Sequence, residues 1–257
     1  MDRFEYTKNR ISDGAPLRQI AKELGVGEST VFYWKQNNFT TGTRTISTTK
    51  EDIINICKSC APYYVYILGC YLGDGCISQF PRTKKLEIFS GSAHPSIIDD
   101  QIRSLNILFN QNKVNSIKHP SYNMYTITVY NKSLDQYFPQ HGQGKKHDRN
   151  ILLTDWQTEL VEEHTDCFIK GLIATDGCLF NASNRIKKDG SKTDLPSYQF
   201  TNKSMDIINL YTSSLDRLGI HYTKVHKKSG AVNVFTRDRK NVQKIFDIYE
   251  SSQKKLT

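Results

Sequence analysis

The stretch YILGCYLGDGC, residues 66–76, sets a single carboxylate, Asp74, at the end of an apolar run punctuated by Gly69, Gly73 and Gly75. A second stretch, FIKGLIATDGC at residues 168–178, has the same plan, with Gly171, Thr175, Asp176, Gly177 and a trailing cysteine. Small residues four apart share one face of a helix, Gly69 with Gly73 and Gly171 with Thr175, and let two helix backbones approach closely. The two stretches are therefore expected to pair as helices. Gly75 and Gly177 stand where a helix can stop in the left-handed conformation. Each acid would then project from a helix C-terminus, among unpaired carbonyls and the negative dipole end.

The repeat extends well beyond the glycines. Asp176 follows Asp74 by 102 residues. After each acid comes a strand hairpin (residues 76–90 and 178–202), a helical pattern (95–109 and 204–219), a second hairpin (113–131 and 221–238) and a last helix (132–138 and 240–249). Each half closes on a lysine pair, Lys145-Lys146 and Lys254-Lys255. Two copies of helix, hairpin, helix, hairpin, helix predict a pseudo-twofold α/β (α+β) domain over residues 53–257. Repeat one covers 60–150 and repeat two 151–257.

Two carboxylates brought together at helix ends repel, and one stays protonated unless a cation joins them. Oxygen-only ligands favour Mg²⁺, with Mn²⁺ able to substitute, because such an ion keeps several waters and bridges carboxylates to phosphate oxygens. The rest of the chain supplies a matching substrate. Its 35 Lys and Arg against 26 Asp and Glu leave a net charge of +9, an electrostatic footprint suited to nucleic acid.

Residues 1–40 have a different character. APLRQIAKELGVGESTVFYWKQ, residues 15–36, reads as a helix, a turn at Gly25 and a second helix, with Ile20, Ala21, Leu24, Val26, Val31 and Trp34 spaced for one small core. The pattern is similar to the helix-turn-helix of bacterial and phage DNA-binding proteins. On the second helix Ser29, Thr30, Phe32, Tyr33 and Lys35 are available to bases and phosphates. Residues 41–52, rich in Thr and Ser, read as a linker.

Six cysteines include the pair Cys57 and Cys60, half of a zinc pattern. No second C-x-x-C or close histidine pair follows, so these are read as small buried side chains and free thiols. The segment MDRFEYTKNR has no apolar core of signal-peptide length, and no apolar run reaches a membrane span, so the expected setting is the cytoplasm of a bacterial or phage-infected cell, with an organelle as the alternative.

ILGCYLGDG and IKGLIATDG resemble the paired signatures of the LAGLIDADG homing endonucleases, and the resemblance covers about residues 60–257. It implies a saddle of two four-stranded antiparallel sheets lying in the DNA major groove, with the signature helices over the minor groove between the scissile phosphates. The metal-binding acids of the family fall on Asp74 and Asp176, with Gly73 and Thr175 beside them as further metal-site candidates. The basic residue that follows the last helix of each half falls on Lys146, or Lys145, and on Lys255, or Lys254. The implied partner is double-stranded DNA with a long asymmetric site, cut by a monomer.

Strand alternation supplies the DNA face. Tyr125, Ile127 and Val129 share one side of their strand and pack on helices, while Met124, Thr126, Thr128 and Tyr130 share the other. Further DNA-contact candidates are Arg82, Lys84 and Lys85 in the first half, and Arg185, Lys187, Lys188, Lys192 and Lys224 in the second. The longer second connection implies that the halves read different half-sites. Two other functions fit the same fold: a DNA-binding regulator without cleavage, and a maturase acting on intron RNA.

Overall fold

The computed structural model describes residues 2–36, 38, 39, 49–181, 190 and 196–250. It divides into two compact units, residues 1–49 and 50–257. The first unit contains α1 (Arg3–Ser12), α2 (Leu17–Leu24) and α3 (Glu28–Gln36). Asp2 caps α1 by accepting from the Phe4 amide. The turn between α2 and α3 rests on Gly25, whose φ of 64° is open to a residue without a Cβ. Ile20, Ala21 and Val31 are buried, and Leu24 and Val26 pack on them. Trp34 lies against Phe4 of α1, ring centroids 5.1 Å apart.

The second unit runs α4 (Lys50–Ser59), α5 (Ala61–Leu72), β1 (Gly75–Gln79), β2 (Lys84–Gly91), α6 (Pro95–Leu108), β3 (Val114–Lys118), β4 (Met124–Asn131) and α7 (Leu134–Tyr137). A 3₁₀ turn at Lys146–Asp148 leads into the second repeat. That repeat comprises α8 (Asp155–Glu163), α9 (Thr165–Asp176), β5 (Gly177–Asn181), β6 (Pro196–Asn202), α10 (Met205–Arg217), β7 (Thr223–His226), β8 (Val232–Thr236) and α11 (Arg239–Glu250). From α5 and from α9 the order is αββαββα in both halves. Each half builds one antiparallel sheet, ordered β1-β2-β4-β3 and β5-β6-β8-β7.

One face of each sheet is sealed by helices. Leu86, Ile88, Ile127 and Val129 of the first sheet and Phe200, Val232 and Val234 of the second are buried in one continuous core with α5 and α9. The α5–α9 contact depends on glycine. A Cβ on Gly69 would stand 2.6 Å from the Phe168 carbonyl oxygen, and one on Gly171 would stand 2.2 Å from that of Tyr66. Only a hydrogen fits between these backbones.

Three residues or segments differ from expectation. Gly75 and Gly177 are not left-handed helix stops: each opens a strand, Gly177 at φ −95° and ψ 149°. Their lack of a side chain serves close approach instead, since a Cβ on Gly75 would meet Tyr71 Cα at 2.5 Å. The linker ends earlier than its composition suggests, because Lys50, Glu51 and Asp52 already form the first turn of α4, with both acids at its positive end. Of the expected linker, residues 41–48 lie outside the described residues. Among the described residues no helix is long and apolar enough to cross a membrane.

Candidate active site

The pairing of α5 with α9 brings their C-terminal ends together, and with them the two acids. Asp74 leaves α5 just after Gly73, while Asp176 is the last residue of α9. They line one open cleft with Lys145, Lys146, Asn202 and Lys203. The carboxyl of Asp176 is pushed up to about 6, first by burial and then by the neighbouring Asp74 charge. That of Asp74 is also raised by the protein packed around the cleft, although its edge is solvent-exposed, with Lys146 offsetting part of the rise. Each acid thus has surroundings that disfavour its charge, as expected of a carboxylate pair that a cation would join.

Lys146 separates itself from its neighbour. Lys145 is exposed, whereas Lys146 is half-buried and its ammonium donates to the carbonyls of Tyr71 at 2.5 Å, Leu72 at 3.0 Å and Gly73. These are last-turn carbonyls of α5 with no intrahelical donor to satisfy them. Burial lowers the Lys146 amine to about 8 against the opposing pull of Asp176 and Asp74. Its counterparts Lys254 and Lys255 lie outside the described residues.

The remaining metal candidates are arranged less directly. The Gly73 carbonyl holds the Lys146 ammonium, and the Thr175 hydroxyl is turned back to the Leu172 carbonyl at 3.0 Å. A Cβ on Gly73 would collide with the Thr175 side chain, so the bare glycine leaves room for that hydroxyl. Asn202 is absent from the sequence-derived set. Its Nδ2 donates to Asp176 Oδ2 at 2.7 Å, while its Oδ1 accepts from the Ser204 amide at 2.8 Å. The tripeptide Asn202-Lys203-Ser204 signals such a turn before a helix. Nothing in it signals the acid, which β5–β6 pairing brings near.

A divalent oxygen-liganded ion fits this cleft. Among the described residues no cluster of three or more His, Cys, Asp or Glu could hold a metal. Two carboxylates with nearby backbone carbonyls suffice for a magnesium-like ion that keeps most of its waters, and the raised carboxyls mark where added positive charge is favourable. Cys57 is buried and Cys60 partly so, and their thiols are both pushed up by burial, as suits core packing.

The sheet faces turned away from the helices carry several DNA-contact candidates. Lys85, Thr126 and Tyr130 lie there, with Thr128 only 7% exposed because β2 and β3 flank it. Arg82 is exposed in the β1–β2 turn. Lys84 is on the opposite face, its ammonium 2.6 Å from Asp135, so an acid on α7 already holds it. Met124 is partly buried at the start of β4. Lys224 pairs in register with Val234, on the helix-covered side, and its ammonium lies 5.8 Å from the Tyr222 ring. Its register keeps it off the outer face, and it is exposed there at the sheet edge. Arg185, Lys187, Lys188 and Lys192 lie outside the described residues. In the first unit Ser29, Phe32, Tyr33 and Lys35 of α3 are exposed and Thr30 is partly so.

No protein-family model and no curated protein matches the sequence. Solved structures do. I-DmoI in complex with DNA and Mn superposes with a TM-score of 0.51 at 16% identity, covering 74% of this chain and 98% of that one. An I-DmoI variant with its target DNA and 2 mM Mn gives 0.52 at 17% identity over 77% and 99%. The chain has the LAGLIDADG homing-endonuclease fold. Another I-DmoI variant, with target DNA and 2 mM Mg, agrees at 0.50 and 16% identity over 75% and 98%. The shared part is therefore a whole I-DmoI-like LAGLIDADG body, and about a quarter of this chain lies outside it.

Proposed function

We propose that this chain is a divalent-metal-dependent endonuclease that cuts a specific site in double-stranded DNA. The observation that carries the reading is the convergence of Asp74, Asp176 and Lys146 on one cleft where two glycine-paired helices end. The net charge of +9 and the two open sheet faces support a duplex as substrate.

Asp74 and Asp176 hold the divalent ion, Mg²⁺ or Mn²⁺, with the Gly73 carbonyl and Thr175 at the helix crossing beside them. When bound, that ion supplies positive charge at the scissile phosphate and acidifies water. Asn202 fixes the rotamer of Asp176 through its 2.7 Å bond. Lys146, with its amine near 8, can hold or yield a proton at neutral pH and adds positive charge as the phosphate becomes more negative. Lys255 or Lys254 has the same part in the second half. The sheets lie in the major groove, so the cleft meets the minor groove between them. The first unit is a helix-turn-helix module in which Ser29, Thr30, Phe32, Tyr33 and Lys35 extend the footprint, joined through the Thr-rich linker. One chain contains both halves and acts as a monomer on a long asymmetric site.

The test is incubation of the protein with a pool of random-sequence duplexes in Mg²⁺, in Mn²⁺ and in EDTA. Sequence-specific double-strand cuts in either metal and none in EDTA support the reading. Binding without cutting in every condition would leave a DNA-binding regulator.

A further inference from the structure

The pseudo-twofold relation makes residues of the two sheets comparable position by position. In the first sheet Gly75 pairs with Ile88 and Cys76 with Glu87, and in the second Gly177 pairs with Phe200 and Cys178 with Gln199. Glu87 and Gln199 are therefore the same lattice point in the two halves. Each lies on the middle strand next to the one that follows the acid, with its side chain on the face away from the helices. The alternation is explicit: Leu86 and Ile88 are buried on either side of Glu87, and Tyr198 and Phe200 on either side of Gln199. The two positions differ only in chemistry, a carboxylate against an amide.

A carboxylate on a surface facing a polyanion is unfavourable unless it meets a hydrogen-bond donor. In the major groove cytosine presents N4–H₂ as such a donor, and guanine presents N7 and O6 as acceptors. Lys85, two residues before Glu87 on the same face, holds its ammonium 2.9 Å from Glu87 Oε1. Acceptor and donor side by side match the edge of one G·C pair, where cytosine N4 and guanine O6 are adjacent. Thymine would offer the ammonium one acceptor beside a methyl group. Among the described residues Gln199 has no lysine partner at the equivalent place, where the residue corresponding to Lys85 is the buried Ser197. Its Nε2 instead donates to Thr201 Oγ1 at 2.7 Å, and Thr201 donates to Asn233 Oδ1 at 3.1 Å. That chain fixes the amide's orientation. An amide so held has a carbonyl oxygen and a second N–H for adenine N6–H₂ and N7, the bidentate match of Gln to adenine.

We infer that the two halves read different bases at pseudo-symmetric target positions: a C·G pair under Glu87, with Lys85 on the guanine, and an A·T pair under Gln199. The inference rests on the endonuclease reading and states the source of asymmetry in its site. It is tested by enriching cleaved or bound sequences from a random duplex pool with wild type, Glu87→Gln and Gln199→Glu. The wild type selects C·G at one position and A·T at its pseudo-symmetric counterpart. Glu87→Gln shifts the first toward adenine by about tenfold or more and leaves the second alone, and Gln199→Glu does the reverse. A wild type that enriches a site whose preferences survive both substitutions, or change in both halves at once, overturns this inference alone. A wild type that enriches nothing overturns the endonuclease reading and this inference with it.

Discussion

At the scale of single residues, the cleft trades stability for charge. Asp176 titrates near 6 in the folded protein against 3.8 as its ordinary value. The folded state therefore holds the proton more tightly, and this residue's contribution to stability is full below about pH 4 and is lost as pH rises through about 6. Asp176→Asn removes that loss. At pH 7 without metal the variant is expected to be more stable by about 1–2 kcal/mol, with the gap closing on acidification to pH 4, as urea unfolding at both pH values would show. Adding Mg²⁺ should raise the melting temperature of the wild type, more strongly above pH 6 than below, and leave the variant unmoved. Both acids were legible in the sequence because glycine spacing and a repeat mark them independently. Lys146 against Lys145 was not, since two adjacent lysines differ only in which one the 3₁₀ turn carries to the carbonyls of α5. Asn202 was also hidden, because its contact with Asp176 is created by strand pairing across 26 residues.

At the scale of elements, the glycines of α5 and α9 set the whole geometry. Gly171→Ala places a methyl group 2.2 Å from the Tyr66 carbonyl oxygen and 2.9 Å from the Cys70 amide nitrogen. Backbone cannot yield as a flexible side chain can, so the expected loss is about 3 kcal/mol or more, read as a lower midpoint in urea. Alanine at Gly144, where no atom lies within 4 Å, creates no such clash but is strained by its φ of 78°, and is expected to cost less. An equal loss at both sites would remove close helix packing as the explanation. The four hairpins and the helices between them were readable from alternation, since each sheet has one wet face. The helix α4 was not, because what fixes it is packing around the signature helices rather than a strong pattern of its own, and α8 is absent from the sequence reading although Thr154 and Gln157 set a capping box at its start. Gly75 and Gly177 show the same limit: a glycine after a helix signals either a left-handed stop or a close approach, and what decides is what its Cβ would meet, the preceding turn at Tyr71 for Gly75 and the Tyr198 side chain of β6 for Gly177.

At the scale of the whole molecule, the chain forms two compact units, to which the proposed function gives different parts. Removing residues 1–49 is expected to weaken DNA binding, shorten protection on one flank, and flatten the dependence of log K on log salt by about 0.9 for each phosphate that the unit neutralises. Cutting at saturating protein should survive, because Asp74, Asp176 and both sheets remain. An unchanged footprint and slope would make the first unit a packing or partner-binding module. Sedimentation of the full chain should give a monomer, since one chain carries both repeats and both four-stranded sheets. The most direct trial of the proposal is single-turnover cleavage of the selected duplex in Mg²⁺ by wild type, Asp74→Asn and Asp176→Asn, with binding measured on the same samples. Cleavage should fall by roughly a hundredfold or more in each variant while affinity changes by only a few-fold, because the proposal puts the acids at the phosphate and draws affinity from the sheets and the basic surface. Cleavage at the wild-type rate by either variant would contradict the two-acid site.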